Sequence, residues 1–153
     1  MPQEILPLNE SEKNWILSGI DRGEALINAL LGESMSAEKL LAQLDSAYLK
    51  WYESDERKTE DPNPIINAFG LTFGQHLCDQ CNLGWVVVRD ENGTDIAVHG
   101  QIGDILLFPT NFVAKRYERS ETGFFEPLYI EVCQKISTLR ELATVKKPWW
   151  KFW

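Results

Sequence analysis

Cys78-Asp79-Gln80-Cys81 has the spacing of a paired thiol, and two chemistries use that spacing: disulfide exchange and zinc binding. Exchange is favoured where such a pair opens a helix, because the positive end of the helix dipole stabilises a thiolate. Here the pair falls at the end of a helical pattern, where the dipole works the other way. Zinc needs two further ligands, for which His76 and Cys133 are the candidates. His76 and Cys78 are two apart, so they do not share a helix face. The residues therefore predict structural cysteines and no metal site. Three cysteines, an odd number, also suit a reduced compartment better than a disulfide scaffold.

The two histidines lead no further. His99 closes a predicted strand and His76 lies on a predicted helix, and no nucleophile motif or orienting acid accompanies either. Gly-x-Ser-x-Gly, the phosphate-binding glycine loop and His-Glu-x-x-His do not occur, so no catalytic residue and no cofactor is assigned. Asp90, Glu91 and Asp95 surround an Asn92-Gly93 turn, and turn chemistry accounts for them without a cation. Lys115, Arg116 and Arg119 follow Phe108-Pro109-Thr110-Asn111-Phe112-Val113. They read either as a solvated face paired with Glu118 and Glu121 or as a contact for an anion or an acidic partner.

The segment Lys146-Lys147-Pro148-Trp149-Trp150-Lys151-Phe152-Trp153 combines indoles with lysines. That combination suits docking on the chain's own domain, a partner groove or, less readily, a membrane surface. Candidate binding residues are thus Lys115, Arg116, Trp149, Trp150, Phe152 and Trp153.

Composition bounds these readings. The 153 residues are 44% hydrophobic and 25% charged, as in an ordinary folded domain. The net charge of −8 argues against nonspecific nucleic-acid binding, which needs a basic footprint. Without Lys146, Lys147 and Lys151 the balance is 12 basic to 23 acidic residues, or −11, so an acidic body carries a basic tail. No signal-peptide pattern opens the sequence, and no run reaches the roughly 18 apolar residues of a membrane span. The expectation is a cytoplasmic protein with one domain over residues 1–145 and a basic aromatic tail over residues 146–153.

Helices must position most of these groups. Asn9 or Ser11 caps the first, with Glu12 completing a capping box after Asn9. Its apolar stripe slips near Gly19 and Gly23, which leaves open one helix or two. The second starts at Ser36 and carries Leu40, Leu41, Leu44, Ala47, Tyr48 and Trp51 at helical spacing. Glu53 to Asp61 reads as a charged connector. The third starts at Asn63-Pro64, and Ile66, Phe69, Gly70, Phe73, Gly74 and Leu77 share a face. Two glycines four apart let another backbone come close, which predicts a buried central helix.

Strands follow near Trp85–Asp90, Asp95–His99 and Ile105–Phe108, with Trp85, Val87, Ile96, Val98, Ile105 and Leu107 on one face. Asn111–Tyr117 reads as a short helix or an irregular turn. After Gly123, a long helix carries Phe124, Leu128, Val132, Ile136 and Leu139. Helices before and after a small antiparallel meander of about three strands make an α+β domain.

Four segments together resemble a known bacterial family, domain of unknown function 3806. They are Phe69-Gly70-x-x-Phe73-Gly74, Gly84-Trp85-Val86-Val87-Val88-x-Asp90, Gly93-Thr94-Asp95-Ile96-Ala97-Val98, and Phe108-Pro109 followed by Lys115-Arg116. The resemblance covers about Ile65 to Ile136 and leaves the first two helices and the tail outside. It implies a fold and transfers no catalytic residue. With no catalytic set and an acidic body, the leading reading is a non-enzymatic protein-binding module. One version is an immunity-like inhibitor of a basic toxin or nuclease, whose association charge complementarity would speed. The alternative is a small enzyme with its site between the sheet and the third helix, using His99 or Cys78.

Overall fold

The Asn9 side chain accepts the Glu12 amide at 2.8 Å while the Glu12 carboxylate accepts the Asn9 amide at 2.7 Å, the reciprocal capping box that the spacing predicts. The computed structural model, which describes residues 3–145, places this cap at the start of α1 (Glu10–Leu31). The helix runs unbroken through Gly19 and Gly23 to a left-handed Gly32. It is one helix because those glycines face a neighbour: a Cβ at either would collide with Leu71 or Thr72 of α4 (Asn63–Cys81).

Between them, α2 (Leu40–Tyr52) begins three residues later than a cap at Ser36 predicts. The Ser36 amide instead donates to Gln43 Oε1 at 3.0 Å, and Gln43 Nε2 donates to the Ser34 carbonyl at 2.8 Å. A buried glutamine thus satisfies loop backbone that would otherwise lack partners. The charged connector contains a short helix, α3 (Asp55–Thr59), capped by Ser54. None of its residues is buried, so no apolar periodicity marks it.

α4 is the centre of the fold, and eleven of its nineteen residues are buried. Residues 68 to 74 are buried without a break, so the helix has neighbours on every side. Behind it come β2 (Gly84–Asp90), β3 (Gly93–Gly100) and β4 (Ile105–Leu107), and a strand from the N-terminus, β1 (Glu4–Leu6), completes an antiparallel sheet in the order β1-β2-β3-β4. β1 is a three-residue strand and was not expected. It pairs Ile5 with Val88 and Leu6 with Val87.

The pairings Trp85–Val98, Val87–Ile96, Val98–Leu107 and Gly100–Ile105 put the six predicted residues on one sheet face. Val87, Val98 and Ile105 are buried and Trp85, Ile96 and Leu107 half-buried. Val88 and Ala97, on the opposite face, are buried too. In the hairpin turn, positive φ falls on Gly93 (125°) rather than Asn92, and the Asn92 amide donates to Asp90 Oδ1 at 2.8 Å.

Pro109 ends the sheet and opens α5 (Pro109–Glu118), followed by α6 (Phe125–Val145). The first amides of α6 are capped from far away in sequence: Phe125 N–H donates to Asp45 Oδ1 at 2.8 Å and Glu126 N–H to Asp45 Oδ2 at 3.3 Å. Around this junction Tyr48 is enclosed by Trp51, Phe69, Phe124 and Phe125, with ring centroids 5.0 to 6.0 Å away.

This packing sets the expected cost of three substitutions. A Cβ at Gly70 would stand 2.6 Å from Thr110 Cα, so Gly70→Ala must push apart two backbones and should cost about 1–3 kcal/mol in urea unfolding. Gly19→Ala should cost less, since it meets the tip of a leucine that can rotate and gains about 1 kcal/mol of helix propensity. The Tyr48 hydroxyl is buried with no hydrogen-bond partner among the described residues. Tyr48→Phe should therefore leave stability unchanged or raise it by about 1 kcal/mol, and a loss beyond that would reveal a partner for the hydroxyl.

Candidate functional site

β4 and α5 form one side of an open groove and α6 the other. Ile105, Leu107 and Phe112 face Leu128, Val132, Ile136 and Leu139 across a volume of about 450 Å³. Leu139, read with Leu128, Val132 and Ile136 as one helical stripe, is 43% exposed. Nearby, the β3–β4 loop turns through a left-handed Gly103 whose missing Cβ would lie 3.0 Å from the Leu139 carbonyl carbon. Ile102 in that loop is 66% exposed.

Charge is distributed unevenly around these apolar walls. Lys115, Arg116, Arg119 and Lys135 line the groove, against Asp104 and Glu131. A chain of net charge −8 thus has a local excess of two positive charges here. The basic groups differ in freedom. Arg116 Nη1 donates to the Phe112 carbonyl at 3.1 Å, and its guanidinium stands 5.8 Å from the Phe124 ring centroid. Lys135 pairs with Glu131 at 3.3 Å and Arg119 with Glu121 at 4.0 Å. Lys115 is exposed and makes no ion pair among the described residues. The structure therefore brings Lys115 and Arg116 together on one rim. Trp149, Trp150, Phe152 and Trp153 lie outside the described residues. The α6 residues of the opposite wall were missed as site residues, because a helix with Leu128, Val132 and Ile136 at regular intervals reads simply as core.

A second hollow, of about 430 Å³, lies at the C-terminal end of α4 and is lined by Cys81, Cys133 and Arg140. Cys81 Sγ and Cys133 Sγ are 3.6 Å apart, although the two cysteines are 52 positions apart in the chain. Arg140 Nη2 donates to the Cys81 carbonyl at 2.7 Å, satisfying one of the orphan carbonyls of the helix end. Burial pushes the Cys78 thiol up to about 12, with the Asp79 charge adding to it. Burial and the neighbouring Cys133 push Cys81 up to about 11, opposed by Arg140. Both are held as thiols at neutral pH.

Of the two candidate partners of this pair, Cys133 meets Cys81, whereas the His76 ring packs on Tyr129. His76 is buried with its ring 5.2 Å from that of Tyr129, and His99 Nε2 lies 3.9 Å from Asp104. Asp95 Oδ1 accepts the amide of its strand neighbour Ile96. Among the described residues no group of three or more His, Cys, Asp or Glu side chains is placed to hold a metal ion, and no helix is long and apolar enough to cross a membrane.

Comparison with known proteins places this geometry in a wider set. The family model described as Domain of unknown function (DUF3806) matches residues 46–129. The match starts inside α2, earlier than the resemblance read from residues, so the second helix is partly included. A solved structure from Bacteroides thetaiotaomicron VPI-5482 superposes with a TM-score of 0.71 over 87% of this chain at 15% sequence identity. That likeness is one of fold. The chain spans 48% of the length of that protein. No curated protein matches the sequence.

Of the titratable groups at the α4 end, His76 links charge to stability. Burial disfavours its imidazolium and lowers its pKa from 6.5, against a smaller opposing effect of Asp79. The unfolded chain therefore binds this proton more tightly than the folded one. The resulting stability is present above the unfolded value and is lost as pH falls from there through the depressed folded value. His76→Phe keeps an aromatic ring against Tyr129 and cannot titrate. Denaturation midpoints from pH 7 to 5 should decline less steeply in this variant than in the parent, and an unchanged slope would refute the assignment.

Proposed function

The chain belongs to the DUF3806 family, and on that premise we propose that it is a non-enzymatic protein-binding module whose groove between α5 and α6 receives an acidic, amphipathic segment of a partner protein. The observation that carries the reading is the groove itself. It combines an apolar floor of Ile105, Leu107, Phe112, Leu128 and Val132 with a local excess of basic groups on an otherwise acidic chain. Apolar walls supply affinity by burial, and the charged rim supplies register and selectivity. Lys115 supports the choice of an acidic occupant, because its ammonium is exposed and unpaired among the described residues.

The immunity-like version of this reading draws on the net charge of −8 and would use the acidic surface outside the groove. Charge reversal on the rim separates the two. Lys115→Glu with Arg119→Glu leaves Arg116 and its contacts to Phe112 and Phe124 intact. Binding of an acidic segment, measured by titration calorimetry with a partner identified by crosslinking, should weaken at least about tenfold, equivalent to 1.4 kcal/mol. A basic partner would bind the double variant as well or better. Turnover of any substrate that depends on His99 or Cys78 would replace the binding reading with the enzymatic one.

A further inference from the structure

We propose that Cys81 and Cys133 are a reversible modification site, oxidised by a small-molecule disulfide to an intramolecular bond that latches the end of α4 to α6. The pair is formed by folding, since the two cysteines are 52 positions apart and the intervening chain includes the sheet from β2 to β4 and all of α5. At 3.6 Å the sulfurs are in contact. A bond of about 2.05 Å needs the two sulfurs to approach further, by rotation of the side chains about their Cα–Cβ bonds. Cys133 is half-buried and Cys81 buried, and both border the hollow of about 430 Å³, which admits a small reagent. Arg140, donating to the Cys81 carbonyl at 2.7 Å, holds the end of α4 in place beside α6.

The chemistry balances in two exchanges. Cys133, the more accessible sulfur, loses its proton and attacks glutathione disulfide; a new sulfur–sulfur bond forms, the old one breaks, and one glutathione leaves as thiolate and takes up a proton. Cys81 then loses its proton and attacks Cys133 Sγ, expelling the second glutathione as a thiol. In sum, two protein thiols are oxidised by two electrons, and one glutathione disulfide is reduced to two thiols. Burial holds Cys81 protonated and makes it the poorer first nucleophile; in the second step its target is already in contact and the attack is intramolecular, which offsets that cost. Cys78 lies one helical turn before Cys81 on the same helix and is the competing thiol.

The test uses the full chain, incubated with glutathione disulfide at pH 8, alkylated and mapped by mass spectrometry. The expected result is a crosslinked peptide pair containing Cys81 and Cys133, with Cys78 alkylated and the link reversed by dithiothreitol. The oxidised chain should melt several degrees above the reduced one, because the bond closes a long loop. Cys133→Ser should abolish the link and Cys78→Ala should retain it; Cys133 is chosen over Cys81 because a change at the half-buried position is better tolerated. A Cys78–Cys81 link, a disulfide between two chains, or glutathione remaining on Cys133 would each overturn the proposal. So would three unreacted thiols in the folded chain under conditions that oxidise the urea-unfolded chain.

Discussion

The close approach of other backbones to α4 is the constraint on which the rest of the structure depends. Gly19 and Gly23 bring α1 against Leu71 and Thr72, Gly70 admits the backbone of Thr110 at the start of α5, and Gly74 makes room for the Trp85 indole and Pro109. Each glycine inside a helix costs about 1 kcal/mol relative to alanine. The compensation is density: interiors gain from many short contacts, and a missing Cβ lets an entire helix or ring come closer. Trp85 then fixes β2 over α4, and its Nε1 donates to Gln75 Oε1 at 3.0 Å, so helix and sheet are joined by packing and by a hydrogen bond.

With α4 enclosed, α6 is placed by what remains. Its N-terminus is fixed by the Asp45 carboxylate and its first turns by Phe125, Leu128 and Val132, all buried. Farther along, Ile136 is still buried but Leu139 and Leu142 are exposed, while Arg140 and Cys133 meet the end of α4. β4 is three residues long and cannot cover the whole helix. The groove is thus the space left between a short edge strand and a long helix. The thiol contact lies at the other flank of the same helix.

Much of this fold was legible in the sequence because its signals are local. The Asn9 and Glu12 capping box, the helical period of Ile66 to Leu77, and the alternation through Trp85, Val87, Ile96 and Val98 each act over a few residues. What escaped notice was set by tertiary context. β1 has three residues and gains its identity only by pairing with Val87 to Arg89. The start of α2 shifted because Gln43 bonds the preceding loop, and α3 has no buried residue to leave a period. The basic rim at Lys115 and Arg116 could be read from their types. Its opposite wall could not, since Leu128, Val132 and Ile136 carry one periodicity whether they meet core or groove. Cys133 could be named beside Cys81 only as a candidate zinc ligand, because 52 positions of separation leave no spacing from which to read a contact.

If the groove binds as proposed, charge restricts the kind of partner it would suit. A net charge of −8 repels a large acidic protein at long range, whereas the excess of two positive charges acts only near the rim. At physiological ionic strength screening extends over about 8 Å, so distant acidic groups fade while the rim still acts on anything inside the groove. A short acidic segment gains from the rim without carrying enough charge to be repelled by the body. A broad acidic surface would face both. In low salt the body's repulsion reaches farther and slows approach, even as each rim contact strengthens. Association and dissociation rates should therefore respond to salt in ways that partly cancel in the affinity. Under the proposed binding role, charge therefore favours an extended segment of a partner over a globular acidic face.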